Sequence, residues 1–483
     1  VYVNNLKIYG GKSCQNKEIM VLKNLCQWKQ GITASGIWLQ CGWVANAHPS
    51  TWWIGGVIAA AGFGVAIKVN LLANPIAAIF IALIGFIGFK VGTTTIGVAR
   101  VSMGIKGSNI AGILNVVNLI GWCAISNFLA AITISYILAA VFGTPAYGEP
   151  GSFWIMIFGS TLNGILSMML VGINGSRSIA IAEKFLTAAL LLMSAWISIV
   201  VFRTYNFADI MAWVPEAGIK MPFGTAFDYI FVMMVGWVVT CCEFTRYSKT
   251  KSGATLAPAV GLTFAAWWFI IVGTLGTIAV AMTTGVFDPN MADPSSLASG
   301  LGLGWVAFAV IIMSTVTTNL ISIYVGAYSL MAVKPKLKIK PTLWKMGIVC
   351  IFMGYLPIII GSFYAVFSTF LGYIGAVLPT LGAILIVDYY IIRKGNYDLS
   401  QISSKTGPYW YKNGYNWYAI IVWIISAAST YYLKSIGVGA NYMGMVLPGI
   451  LIAGILYYIV AKIAIKNNVY TDISPDQAVK QNA

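Results

Sequence analysis

Three apolar stretches of the chain carry polar side chains at helical spacing. In NVVNLIGWCAISN, Asn115, Asn118, Trp122 and Ser126 follow at intervals of three, four and four, so a helix places them on one face. An amide in hydrocarbon without a partner is costly, so this face must look at another helix or at a wet cavity. Trp122 within it offers a flat ring on which a planar ligand can stack; a hydrogen-bonded seam between helices would leave the same pattern. In IIMSTVTTNLISIY, Ser314, Thr317 and Thr318 lie on adjacent parts of one face with Asn319 beside them. Hydroxyl and carbonyl oxygens suit a hard cation, although Ser and Thr also bond back to the carbonyl one turn earlier. In CGWVANAHPSTWWIGG, Asn46, His48, Pro49, Ser50 and Thr51 fall within six positions, and His48 is the single histidine of the protein. Pro49 lacks an N–H and clashes with the preceding turn, which predicts an interrupted helix with freed carbonyls. Irregular backbone survives at membrane depth only against protein or a water-filled cavity; an ordinary proline kink is the other reading.

The elements that must position these residues are membrane spans. The 483-residue chain is 59% hydrophobic and 9% charged, against about a quarter charged in soluble domains. Long apolar runs recur between short charged connections, and about 20 apolar residues cross a bilayer. The fold class is therefore an all-α polytopic membrane protein; the short alternating strands of an outer-membrane barrel are missing. The formal charge of +16 is distributed by position. Lys90, Arg100 and Lys106, then Arg177 and Lys184, Arg246, Lys249 and Lys251, Lys334 to Lys340, and Arg393 with Lys394 occupy alternate loops, while Glu149, Asp288 and Asp293 lie in the intervening ones. By the positive-inside rule the basic loops are cytoplasmic, and no nucleic-acid partner is needed to explain the charge.

Apolar runs between turn and charge signals give about twelve spans, near 33–61, 71–89, 109–141, 152–173, 179–202, 225–243, 255–284, 303–332, 343–366, 368–392, 417–434 and 442–465. The even count, with basic residues ahead of the first span, places both termini in the cytoplasm and the protein in the plasma or inner membrane. The stretches 205–222 and 286–299 read as short external loops, residues 1–30 as a polar cytoplasmic segment, and 466–483 as a polar tail. The tripeptide GWV occurs at Gly42–Val44 and again at Gly236–Val238, in spans 1 and 6. Paired interruptions in corresponding helices point to an inverted-repeat transporter, here with repeats over 31–202 and 203–393 followed by two helices over 394–465.

Other residues narrow the chemistry. The seven cysteines are scattered, and one histidine cannot complete a Cys/His zinc site, so they read as packing residues. Glu243 and Arg246 are spaced to pair at a helix end. Pro379 and Gly382 loosen span 10, and Asp388 near its basic end calls for a partner on a neighbouring helix. Apart from His48 no span carries an ionisable residue at its centre, which favours a cation held by neutral oxygens over a carboxylate proton relay. No H-E-x-x-H, Walker loop or nucleophile elbow is present, so the chain is not read as an enzyme; no filter loop or charged ring suggests a channel.

The stretch Gly85–Ser108, GFIGFKVGTTTIGVARVSMGIKGS, followed by GWCAISN, resembles spans 2 and 3 of the nucleobase–cation symporter-1 family. CEFTRYSK resembles its acid-x-T-R-Y segment after span 6, with Glu243 where aspartate is usual; STVTTNLISIY is similar to its span 8 and LPTLGAILIVDYY to its span 10. The resemblance runs from about Trp38 to Asp398. It implies the LeuT-like fold of two inverted five-helix repeats plus two C-terminal helices, and symport of a planar heterocycle with Na+ or, in some members, H+. By matched position it implies that Trp122 stacks on substrate, that Gly236 and Trp237 supply backbone and aromatic contacts, and that Thr317 and Thr318, with Ser314 a turn earlier, hold the cation. Asn118, Ser126 and Asn319 would read the substrate edge. Ala45 to His48 would offer carbonyls to the cation at an unwound span 1, with Asn46 or His48 facing substrate. Ser126 falls where some members use Gln. The expected substrate is cytosine or a related pyrimidine or purine, with hydroxymethylpyrimidine and hydantoin or allantoin as the alternatives. No cofactor and no obligate protein partner is expected; the partners are the small-molecule substrate and the lipid bilayer.

Overall fold

The computed structural model describes residues 48–473 except 175, 217, 247 and 249. Its helices are α1 (Pro49–Ile58), α2 (Phe63–Val91), α3 (Thr95–Met103), α4 (Gly107–Phe142), α5 (Phe153–Asn174), α6 (Ser176–Thr204), α7 (Phe207–Ala212), α8 (Phe223–Val235), α9 (Cys242–Thr245), α10 (Lys251–Thr284), α11 (Pro294–Gly300), α12 (Trp305–Val333), α13 (Ile339–Gly354), α14 (Leu356–Ile360), α15 (Phe363–Ile386), α16 (Trp417–Ser435) and α17 (Val446–Lys466). Among the described residues eight helical segments are long and apolar enough to cross a membrane, and two shorter apolar ones cover Ala188–Thr204 and Phe223–Val239. At 1.5 Å per residue the 29 residues of α2 reach about 43 Å, more than the roughly 30 Å of hydrocarbon.

Most boundaries follow the sequence expectation, with one informative departure. The break between the ninth and tenth spans lies at Gly361, whose φ of +75° ends α14, and Ser362, whose hydroxyl accepts the Ala365 N–H at 3.2 Å. Residues 363–366 therefore open α15 rather than close the preceding span. Pro49 is the first residue of α1. It occupies the first helical turn, where a missing N–H costs nothing, and His48 ahead of it is extended, with φ −125° and ψ 138°. Asn46, Ala45 and the earlier half of the proposed span 1 lie outside the described residues. The loops at 205–222 and 286–303 also contain the short helices α7 and α11.

The helices pack in two groups. Helices α1, α2, α8 and α10 form one, and α4, α5, α12 and α13 the other, with α15 set against α8 and the α16–α17 pair. The first group is drawn together by direct backbone approach. A Cβ at Gly55 would come within 2.1 Å of the Ile270 carbonyl oxygen, and one at Gly273 within 2.0 Å of that of Trp52. Thr274 Oγ1 donates to the Gly55 carbonyl at 2.8 Å across the same contact. Small residues permit this proximity between membrane helices.

Ionised groups tether the C-terminal pair at both faces. At the acidic-loop face, the Asp228 carboxylate of α8 accepts the Met445 and Val446 N–H groups at the start of α17 and pairs with Lys434 at 3.2 Å. At the basic-loop face, α15 ends in a π-helical turn, Val387–Ile392, in which the Arg393 N–H donates to the Asp388 carbonyl at 2.9 Å. The five-residue register sets the Arg393 guanidinium against the buried Asp388 carboxylate, which also accepts the Tyr397 and Tyr457 hydroxyls. Arg393 then reaches Asp472, beyond α17, through Nε at 2.6 Å and Nη2 at 3.2 Å. The partner expected for Asp388 is thus Tyr457 on α17, together with its own helix's arginine.

The α1–α10 contact leaves no room for a side chain. Gly273→Val is expected to lower stability by about 1–3 kcal/mol, read as a fall in the detergent-solubilised unfolding midpoint; an unchanged midpoint would contradict the packing described.

Candidate functional site

Helix α4 carries the site, and its polar stripe is divided by what faces it. Asn115 Nδ2 donates to Ser329 Oγ of α12 at 3.2 Å, and its Oδ1 meets Thr240 Oγ1, just beyond α8, at 3.5 Å. One turn on, Asn118 is buried, yet its Oδ1 has no hydrogen-bond partner. Next come Trp122, half-buried, and Ser126, fully buried. Because α4 and α8 run in opposite directions and meet at Asn115 and Thr240, stepping from Thr240 back to Gly236 moves about 8 Å along the 3-10 turn. That brings Gly236 and Trp237 level with Asn118 to Trp122, since 1.5 Å per residue carries α4 roughly the same distance.

Here the chain changes geometry. Helix α8 stops at Val235, and Gly236–Val239 form a 3-10 turn. A Cβ built on Gly236 would meet nothing within 4 Å, so the position borders open space. Asn118 and Trp122 on α4 and Gly236 and Trp237 on the 3-10 turn thus lie at one level, on either side of the Asn115–Thr240 contact.

His48 closes this region from α1. Its Nδ1 accepts the Ser50 N–H at 3.0 Å, acting as the N-cap of the helix, and the Ser50 hydroxyl lies against the same nitrogen. Its Nε2 lies 2.9 Å from Ser126 Oγ, which in turn donates to the Trp122 carbonyl at 2.9 Å. These directions assign the neutral tautomer with the proton on Nε2, donating to Ser126. The lone histidine therefore ties the start of α1 to the polar face of α4. Its own carbonyl accepts the Thr51 N–H at 3.0 Å.

Toward the acidic-loop face the region is closed by rings. Trp53 of α1 meets Phe363 and Phe367 of α15 edge-on at 4.9 and 4.6 Å, and Phe128 of α4 stacks on Phe363 at 4.7 Å. Trp122 packs edge-on against Phe367 at 5.9 Å and Phe370 at 5.4 Å. The first residues of α15, assigned to the preceding span from sequence, thus contribute to the plug.

Helix α12 splits its polar residues between two faces. Thr317 Oγ1 donates to the Ser314 carbonyl at 3.0 Å, which leaves the hydroxyl lone pairs available; both residues are buried, and Thr318 beside them is partly exposed. Asn319 is placed elsewhere. Its Nδ2 donates to Asn127 Oδ1 at 2.6 Å, in a seam where Asn163 donates to the same oxygen, Thr315 donates to Asn163, and Asn127 donates to the Cys350 carbonyl. This seam joins α4, α5, α12 and α13. Asn127 and Asn163 were missed in sequence, although Asn127 directly follows the stripe. Glu243, expected to pair with Arg246, accepts the Thr95 hydroxyl at the start of α3 at 2.7 Å. Among the described residues no group of three or more His, Cys, Asp or Glu side chains can hold a metal ion, and four buried cysteines are free thiols.

The space beside Gly236 distinguishes a binding cavity from packing. Gly236→Ala is expected to fold and bind as the parent does, because its methyl group meets nothing; Gly236→Leu is expected to keep the unfolding midpoint while losing ligand-induced stabilisation. A Leu variant that still binds would place the cavity elsewhere.

The profile described as "Permease for cytosine/purines, uracil, thiamine, allantoin" matches residues 35–460. The allantoin permease of Bacillus subtilis (strain 168) is 24% identical over 423 residues, 83% of each chain. The hydantoin permease of Microbacterium maritypicum is 25% identical over 355 residues, covering 69% of this chain and 68% of its own. Among solved structures, Mhp1, a nucleobase–cation-symport-1 family transporter in a closed conformation with bromovinylhydantoin bound, aligns with a TM-score of 0.71 at 20% identity, over 92% of this chain and 94% of that one. That likeness establishes the LeuT-like architecture. The matched profile spans most of the sequence, and the chain belongs to the nucleobase–cation symporter-1 family of membrane permeases.

Proposed function

We propose that this permease carries a cyclic ureide of the hydantoin or allantoin type across the membrane by cation symport. The observation that carries the reading is the unpartnered Oδ1 of buried Asn118, one turn from the half-buried Trp122 ring and level with the bare backbone at Gly236. A buried acceptor without a donor is costly, and a ring N–H supplies that donor. The Asn118 amide matches a ring –NH–C(=O)– edge, while Trp122 and Trp237 offer faces to a planar ring and Ser126 with His48 bounds it toward α1. The names of the allantoin and hydantoin permeases reported above support the ureide over the cytosine reading suggested by sequence.

The coupling ion is Na+, carried as co-substrate by Thr317 and Thr318 with the Ser314 carbonyl, against the start of α1. Neutral oxygens suit a monovalent hard cation, and α12 touches α1. Residues 31–202 and 203–393 act as inverted repeats around this site, with α16 and α17 outside them, and alternating access comes from the α1–α2–α8–α10 group moving against the α4–α5–α12–α13 group. The basic face is cytoplasmic, as are both termini, in the plasma or inner membrane. The aromatic plug then closes the external route.

A thermal-shift panel of hydantoin, allantoin, cytosine and hydroxymethylpyrimidine, with and without Na+, tests the substrate class, because a ligand that binds only the folded state raises its stability. The ureides are expected to stabilise and cytosine not; the reverse order would overturn the assignment. Loss of a stacked aromatic costs about 1–3 kcal/mol, so Trp122→Ala is expected to weaken ligand affinity about tenfold or more, and unaltered affinity would remove the stacking role. Thr317→Val is expected to raise the half-saturating Na+ concentration about tenfold in uptake assays; an unchanged Na+ dependence would exclude this ion site.

A further inference from the structure

The segment between α10 and α12 forms a strap over the acidic-loop face of the site. It holds three helices at once. The Pro289 carbonyl accepts Trp53 Nε1 of α1 at 3.1 Å. Asn290 Oδ1 accepts the Tyr364 N–H at 3.1 Å and the Ser362 hydroxyl at 3.3 Å, capping α15 from outside its own chain segment. Ser295 and Ser296 of α11 meet Thr133 and Tyr136 of α4 at 2.6 and 3.2 Å. On the inner side of the strap, the buried Ala292 methyl group would lie 2.7 Å from a Cβ built on Gly56.

Asp293 lies at the centre of these contacts, with no exposed surface. Its Oδ1 accepts the Ser295 and Ser296 N–H groups at 2.8 and 3.1 Å, and its Oδ2 meets the Ser296 hydroxyl. No lysine or arginine among the described residues pairs with it. The titratable groups around it are acids and phenols: Asp288 on the strap, Tyr136 on α4, and Tyr147 and Glu149 in the following loop. Helices α1 and α12 contain no charged residue, and the single charge of α10, Lys251, is at its opposite end.

We propose that Asp293 is a proton-binding site through which acid closes this strap over α1, α4 and α15. A carboxylate in this position is desolvated when the strap is down and hydrated when it lifts. Burial pushes its pKa up to about 6, against the lowering pull of the Ser295 and Ser296 donors; released into water it returns to about 3.9. The closed strap therefore binds the proton more tightly, and protonation favours closure. The sign follows directly: the stabilisation of the closed strap is complete below about pH 4 and is lost as pH rises through 6. The network accommodates either state, since a protonated Oδ2 donates to Ser296 Oγ, whose hydrogen turns to Tyr136.

The test uses purified full-length protein and needs no substrate, so it stands or falls separately from the ureide reading. Single reporter cysteines replace Ala292, on the buried inner side of the strap, or exposed Ser299. The rate of modification by a water-soluble thiol reagent at the first is divided by that at the second, which cancels the titration of the thiol. Protection of the Ala292→Cys reporter is expected to rise about tenfold from pH 7.5 to pH 5. In an Asp293→Asn background, neutral at every pH, protection is expected to be high and flat. Hydrogen exchange across residues 291–300, corrected for intrinsic rates, gives the same comparison without a reporter. Equal pH dependence with and without the carboxylate, or protection that falls on acidification, would overturn the proposal.

Discussion

A polar side chain in hydrocarbon has no water to turn to, and the organisation of this permease follows from how helix α4 meets that demand. Its amides at Asn115 and Asn127 are satisfied by neighbouring helices, through Ser329 and Thr240 in one case and through Asn163, Asn319 and the Cys350 carbonyl in the other. Between them, Asn118 keeps an unpartnered oxygen and Trp122 a partly open face. The satisfied groups fix helix against helix, and the Asn118 oxygen between them is left open to a donor.

The two helix groups are joined to different degrees. Within the first, backbone approach at Gly55 and Gly273 leaves α1 and α10 no freedom to slide. Between the groups the connections are fewer and more local: the His48–Ser126 hydrogen bond, the rings of Trp53, Phe363, Phe367 and Trp122, and the contacts of the strap around Asp293. Rigid groups meeting through a small number of separable contacts suit a protein that must open on alternate sides. The π-helical turn at the end of α15 and its Arg393 pairs anchor that helix at the basic face, while its first residues, Phe363 and Phe367, close the opposite one.

Much of the fold was legible because the bilayer imposes a length and a composition on each span, and because alternate loops differ in charge. The Asn115–Ser126 stripe was legible for a related reason: helical periodicity turns spacing into a shared face. Family motifs add what periodicity lacks, the correspondence between separate spans, which is why the sequence leads to the expectation of Trp122 and Gly236 at one site.

Tertiary structure alone decided how each polar face is used. Ser314 and Asn319 sit close together in sequence, yet a rotation of about 100° per residue sends Asn319 into the amide seam and Ser314 with Thr317 elsewhere. Pro49 is compatible with several local geometries, and the extended backbone at His48 makes it the first residue of α1. Asp293 reads in sequence as one acid of an external loop; its burial beneath α4 comes from the folding of a segment whose apolar pattern is too short to reveal α11. Sequence by itself determined which residues must be buried in membrane helices and which could share a face, because those follow from local geometry and solvent. Which faces meet, and which polar atoms are left without a partner, depends on contacts between residues far apart in the chain, and these exist only once the helices have packed.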